Sequence, residues 1–212
     1  MTAIRAHHTA SLVVVALGFL VGVPAFLWPP GAFLEMEMFP RVLVAFGLPL
    51  TAATIYVLFR SLWAHDTVRS GNGAFEATYR AIVFRVIVFV VAMHTLLVVA
   101  LTDTMNVIGS HTWGKRVVVV MLGLAFVAIG NLLPQTRPNI AFGLRTARTL
   151  ASTQLWQQVH RVGGYAAVAF GVLIAIAGLA APMRDVVAGV LSLAGLAALL
   201  VVFVTYRRYA SA

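Results

Sequence analysis

The chain has no cysteine, only six acidic residues in 212, and no more than 10% charged residues of either sign. Without thiols it can hold no disulfide framework, no cysteine-ligated zinc or iron–sulfur site and no thiol nucleophile. Soluble domains carry about 25% charged and about 45–50% apolar residues. This sequence is 61% hydrophobic, with a mean hydropathy of +0.97. The shortage of charge excludes a water-soluble enzyme, a disordered tail and a nucleic-acid-binding domain dense in basic groups. A polytopic membrane protein remains.

A helix that crosses a hydrocarbon core of about 30 Å needs roughly 20 mainly apolar residues. Six stretches meet that pattern: 10–28, 42–63, 81–101, 117–133, 165–181 and 186–206. The first is longer than the apolar run of a signal peptide and is expected to stay as an uncleaved helix. Basic residues collect on the cytoplasmic side of membrane proteins. With the N-terminus inside, 11 of the 15 Lys and Arg fall inside, and the faces carry formal charges of +9 (inner) and zero (outer). The expected fold is all-α: a transmembrane helical bundle of six spans in the cell membrane, both termini cytoplasmic. The spans leave no room for a soluble domain, so residues 1–212 form one integral membrane domain, with a cytoplasmic loop at 134–162.

Ionisable groups within spans mark function by default, because they are costly there. Few occur. Arg85 lies about 6 Å into the third span at 1.5 Å per residue, close enough to snorkel to the headgroups. His94 sits deeper, and no other span offers a histidine at its depth to complete a haem site. It is expected to be a neutral structural residue. By the topology, His94, His111 and His160 fall at three different levels and cannot share a site. No catalytic residue, metal or cofactor is therefore expected. A small transporter or channel is the competing reading, favoured by the six spans and opposed by the scarcity of intramembrane charge.

In the fifth span Gly164, Ala167, Gly171, Ala175 and Gly178 fall within about 80° of one another. Such a face lets a neighbouring helix approach closely. Pro49 predicts a kink in the second span.

Polarity concentrates between spans four and five. The stretch Gly130-Asn131-Leu132-Leu133-Pro134-Gln135-Thr136-Arg137-Pro138-Asn139 is followed by Phe142-Gly143-Leu144-Arg145-Thr146. Two prolines, arginines up to Arg148 and no acid predict an irregular cationic loop. Pro134 is expected to end the fourth helix, with Asn131 and Asn139 supplying partners to freed backbone groups. Ser152 is a plausible N-cap for a short interfacial helix. Its apolar face would carry Leu155, Trp156, Val159, Val162 and Gly163, with Trp156 at headgroup level. Gln157, Gln158 and Arg161 would face the other way, and the chain would turn into the fifth span at Gly163-Gly164. The loop could dock a partner, or its arginines could hold anionic lipid headgroups.

These motifs, with Thr149-Leu150, Trp156 and His160-Arg161-Val162-Gly163-Gly164, resemble the signature of the SdpI family of bacterial immunity proteins. The likeness covers roughly 35 residues in one register. The chain departs from the pattern at Gln135 (lysine in the family), Ala147-Arg148 (Pro-Trp) and Val159 (threonine). Its 29–40 loop is short and lacks the Trp-Asn pair common in that family. The resemblance implies immunity to a secreted antimicrobial peptide toxin met outside the cell. It also implies a cytoplasmic repressor protein captured inside, where the cationic loop would be its docking site. The matching positions carried over as partner-binding are Asn131, Pro134, Arg137, Pro138, Asn139, Gly143, Arg145, Thr146, Trp156, His160 and Arg161.

Overall fold

A computed structural model describes residues 2–28, 35–66, 73–102, 111–180, 182, 189 and 191–210. Its elements are all helical: α1 (Thr2–Leu27), α2 (Met38–His65), α3 (Gly73–Thr102), α4 (His111–Gly130), a 3-10 turn (Leu133–Gln135), α5 (Ala147–Ala151), α6 (Thr153–Ala180) and α7 (Leu191–Ala210). Five described helices are long and apolar enough to cross a membrane, coinciding with the first five expected spans. The sixth expected span falls on α7, whose apolar stretch is the shorter Gly195–Val204. Large apolar side chains such as Leu20, Phe39, Val57, Leu173 and Leu199 point outward, as a lipid-facing surface requires. The structure is that of an all-α polytopic membrane protein.

The chain packs as two groups. In the first, α1, α2 and α3 contact one another around Ala52, Phe75, Tyr79, Val83, Ile87 and Val91. Pro49 has no N–H, so the Ala45 carbonyl loses its helical donor. That carbonyl lies against Gly22 of α1, where a Cβ would collide with it. The helix accommodates Pro49 with its freed Ala45 carbonyl, buried against Gly22 of the neighbouring helix. His94 is fully buried in this group, and neither ring nitrogen meets hydrogen-bond geometry with a described partner.

In the second group α4 packs along α6. A Cβ on Gly123 would lie 2.5 Å from the Gly171 carbonyl oxygen, and one on Gly171 would lie 2.5 Å from that of Gly123. The expected small-residue face is thus the α4 contact, reaching from Gly164 through Gly171 to Gly178. At one end of the pair Arg116 donates to the Gly178 and Leu179 carbonyls at 2.9 and 2.6 Å, satisfying the last carbonyls of α6.

Two expectations about the helices need correction here. The fourth helix ends at Gly130, before Pro134, because the chain tightens into the 3-10 turn first. The interfacial helix is not a separate element: residues 153–163 are the opening turns of α6, which runs unbroken through Gly163-Gly164. At 28 residues and 1.5 Å per residue, α6 is about 42 Å long, so roughly 12 Å exceeds a 30 Å hydrocarbon core. Arg85 is partly buried and donates Nη1–H to the Ala128 carbonyl, tying α3 to α4. The expected Ser70–Gly73 turn lies outside the described residues up to Gly73, as does the His111 side chain.

Candidate functional site

The connecting segment from Asn131 to Ser152 is a closed set of backbone turns, each satisfied by a particular side chain. After α4, the Asn131 and Leu132 N–H groups still reach back to Val127 and Ile129. Pro134 sits in the first turn of the 3-10 element, where the missing N–H costs nothing. Its ring lies against α6: a Cβ on Gly164 would come within 2.8 Å of Pro134 Cδ. The Gln135 and Thr136 N–H groups then donate to Leu132 and Leu133.

Thr136 is 1% exposed. Its hydroxyl donates to the Leu133 carbonyl at 2.7 Å and accepts from Trp156 Nε1–H at 3.1 Å. Trp156 is 0% exposed, so it is no headgroup anchor. The indole is interior because its single donor has a partner in the loop.

Asn139 closes the next turn. Its Oδ1 accepts from the N–H groups of Ala141 and Phe142 at 2.9 and 3.0 Å. Its Nδ2 donates to the Arg137 carbonyl at 2.7 Å. One buried amide thereby satisfies three backbone groups on either side of Pro138, itself buried. The Asp66 carboxylate, at the end of α2, accepts the Ile140 N–H at 3.1 Å. Phe142 stacks on Tyr79 of α3 with ring centroids 5.0 Å apart.

Gly143 then takes φ of +104°, in the left-handed range that L side chains avoid. A Cβ there would also run into His160 Nε2. The glycine brings the backbone onto that nitrogen, and the following Leu144 N–H donates to it at 3.1 Å. An amide nitrogen cannot accept, so Nε2 carries the lone pair. The imidazole proton sits on Nδ1, directed at the Trp156 carbonyl 2.8 Å away. The ring stacks on the Trp156 indole at 3.9 Å and 14°. Thr146 and Thr149 cap α5 reciprocally: the Thr149 N–H donates to Thr146 Oγ1 at 3.2 Å, and the Thr146 N–H to Thr149 Oγ1 at 2.9 Å. Ser152 caps α6 through the Leu155 N–H at 3.2 Å, as its position predicts.

The expected residues therefore divide in two. Pro134, Pro138, Asn139, Gly143, Thr146, Trp156 and His160, with the backbone of Arg137, meet in one interlocked unit. Asn131, Arg145 and Arg161 lie on its outer surface with Arg148, while the Arg137 side chain is half-buried. Arg145 donates Nη1–H to the Ile140 carbonyl. Asn131 supplies only its carbonyl, to Gln135 Nε2 at 3.2 Å, and not the side-chain support expected of it. Residue-by-residue reasoning missed Thr136 and Asp66. Thr136 was visible only as a hydroxyl one residue before the Arg-Pro-Asn run. Asp66 lies 74 residues from its partner, beyond any local signal.

Five membrane-length apolar helices among the described residues and an arginine-faced connecting loop define a multi-pass membrane protein. The SdpI/YfhL protein family matches residues 135–206, from the 3-10 turn through α5 and α6 into α7. No curated protein and no solved structure matches the chain.

Proposed function

We propose that this protein confers immunity to a secreted antimicrobial peptide toxin and does so without enzymatic chemistry, from the bacterial cell membrane. The observation that carries the reading is the coincidence of the SdpI/YfhL match at 135–206 with the interlocked loop. The motif residues the chain shares with that family hold the loop's shape rather than forming a reaction centre. The repressor-docking step is placed on the exposed cations Arg145, Arg148 and Arg161, since Trp156, His160, Asn139 and Pro138 are buried and cannot touch a partner.

The reading takes both termini and the loop as cytoplasmic, on the distribution of arginines. Expression in a sensitive bacterium is expected to raise survival against a panel of membrane-active peptide toxins. The double variant Arg145→Ala/Arg148→Ala is expected to lose any repressor capture while the protein still accumulates in the membrane. Survival equal to an empty vector across the panel would overturn the immunity reading. Cysteines introduced at Gln135 and Thr112 test the orientation: an impermeant thiol reagent on intact cells should label only the second.

A further inference from the structure

A second polar cluster lies in the N-terminal group, outside the family match. Where the start of α1, the end of α2 and the start of α3 meet, a cavity of about 40 Å³ opens beside Tyr56, Phe59, Arg60, Trp63, Tyr79 and Arg80. It is at the same end as the loop, because Phe59 and Tyr79 also touch Phe142.

The hydrogen bonds around it leave donors over on Arg60, while the carboxylate among them, Glu76, is held by Arg80. Arg60 Nη1 lies 2.8 Å from His8 Nε2. A guanidinium cannot accept, so His8 holds its lone pair on Nε2 and its proton on Nδ1. Nδ1 is bonded to the Tyr56 hydroxyl, whose oxygen therefore accepts and which also lies 3.3 Å from Nε2. Tyr79 has given its hydroxyl proton to the Phe59 carbonyl at 2.8 Å, and Ser11 donates to the His7 carbonyl at 2.8 Å. Arg80 is neutralised by Glu76, with Nε and Nη2 both on Oε1 at 2.9 and 2.6 Å. Arg60 pairs with no carboxylate among the described residues.

The result is a donor-rich mouth backed by aromatic walls, with Arg60 as the guanidinium that no carboxylate among the described residues pairs. We infer that this cavity binds the oxyanion of an anionic amphiphile, a phosphate or carboxylate head on an apolar chain. The head would take charge-assisted hydrogen bonds from Arg60 and from the Tyr56 hydroxyl, with the chain lying along the apolar helix surface. One water needs about 10–15 Å³ of such space, so the cavity holds a few waters or a compact oxyanion. The site depends on the membrane-protein class alone and stands or falls separately from the immunity reading.

The test is native mass spectrometry of the full chain in detergent with dioleoyl phosphatidate or dioleoyl phosphatidylcholine. Phosphatidate should be retained about tenfold better than phosphatidylcholine, the scale of one or two charge-assisted bonds. Arg60→Gln should abolish that preference. Tyr56→Phe, which keeps the ring and its packing, should reduce it. Arg207→Gln removes the same charge from the end of α7 and should leave the preference intact. Excess inorganic phosphate that displaces the lipid would show that the oxyanion alone suffices, and failure to displace it would assign the site to the lipid. Equal retention of the two lipids by the wild type, or an undiminished preference in both Arg60→Gln and Tyr56→Phe, would overturn the inference.

Discussion

The smallest scale at which the loop can be broken is a single methyl group. Gly143→Ala combines a positive φ of +104° with a clash against His160, and backbone strain of this kind costs about 1–3 kcal/mol. A lowered thermal midpoint of the purified protein in detergent is expected; an unchanged midpoint would show that the loop does not need this turn. His160→Ala leaves the half-buried Leu144 N–H without its acceptor, a loss of up to about 1–3 kcal/mol, and removes the ring stacked on Trp156. Its midpoint should fall at least as far as that of Gly143→Ala. The sequence marked these positions as a motif but did not give their roles. Gly143 could be named as a turn residue, whereas nothing in the spacing of Trp156 and His160 tells that one donates to Thr136 and the other accepts from Leu144. Those partnerships exist only once the loop has folded back onto α6.

Among the helices, the lesson concerns glycine. Five long elements were legible from hydropathy because a lipid-facing helix must be apolar over its whole length. The stripe Gly164, Ala167, Gly171, Ala175, Gly178 was legible too, by its repeat. The same residue misled at Gly163-Gly164, which suggested a turn. In α6 the helix continues because Gly164 is occupied by the approach of Pro134 and Gly130, so its lack of a side chain serves packing rather than bending. A steric contrast follows. Gly171→Ala places a methyl 2.5 Å from a backbone oxygen of α4 that has nowhere to go, whereas a methyl at Gly195 first meets Phe170 at 3.6 Å. Overpacking of this kind costs about 1–3 kcal/mol. Thermal unfolding should therefore separate the two variants, with Gly171→Ala the weaker and Gly195→Ala close to wild type.

Across the whole molecule, two helical groups meet at few polar points. Asp66 reaches from the first group to the Ile140 amide, Phe142 lies on Tyr79, and Arg85 reaches from α3 to α4. Removing the carboxylate in Asp66→Ala leaves a loop N–H without its acceptor and should loosen the segment from α2. Proteolysis of the purified protein between Arg137 and Arg148 should accelerate, and an unchanged cleavage rate would show that the joint is dispensable. This joint could not be foreseen: a lone acid at the end of a span is indistinguishable by composition from one that faces water. The positive-inside count is also a property of the whole chain, and the orientation proposed from it rests on no single arginine.

The loop's architecture and its charge turn out to be carried by different atoms. Its shape rests largely on short, neutral contacts sealed from water, such as Asn139 to the backbone and Trp156 to Thr136, while its cations stand outside. Mobile ions screen exposed charge over about 8–10 Å at physiological strength and barely reach enclosed dipoles. Raising the salt concentration should therefore strip away whatever the arginines attract and leave the scaffold beneath them standing. Evolution could accordingly rewrite the electrostatic message without rebuilding the frame that displays it.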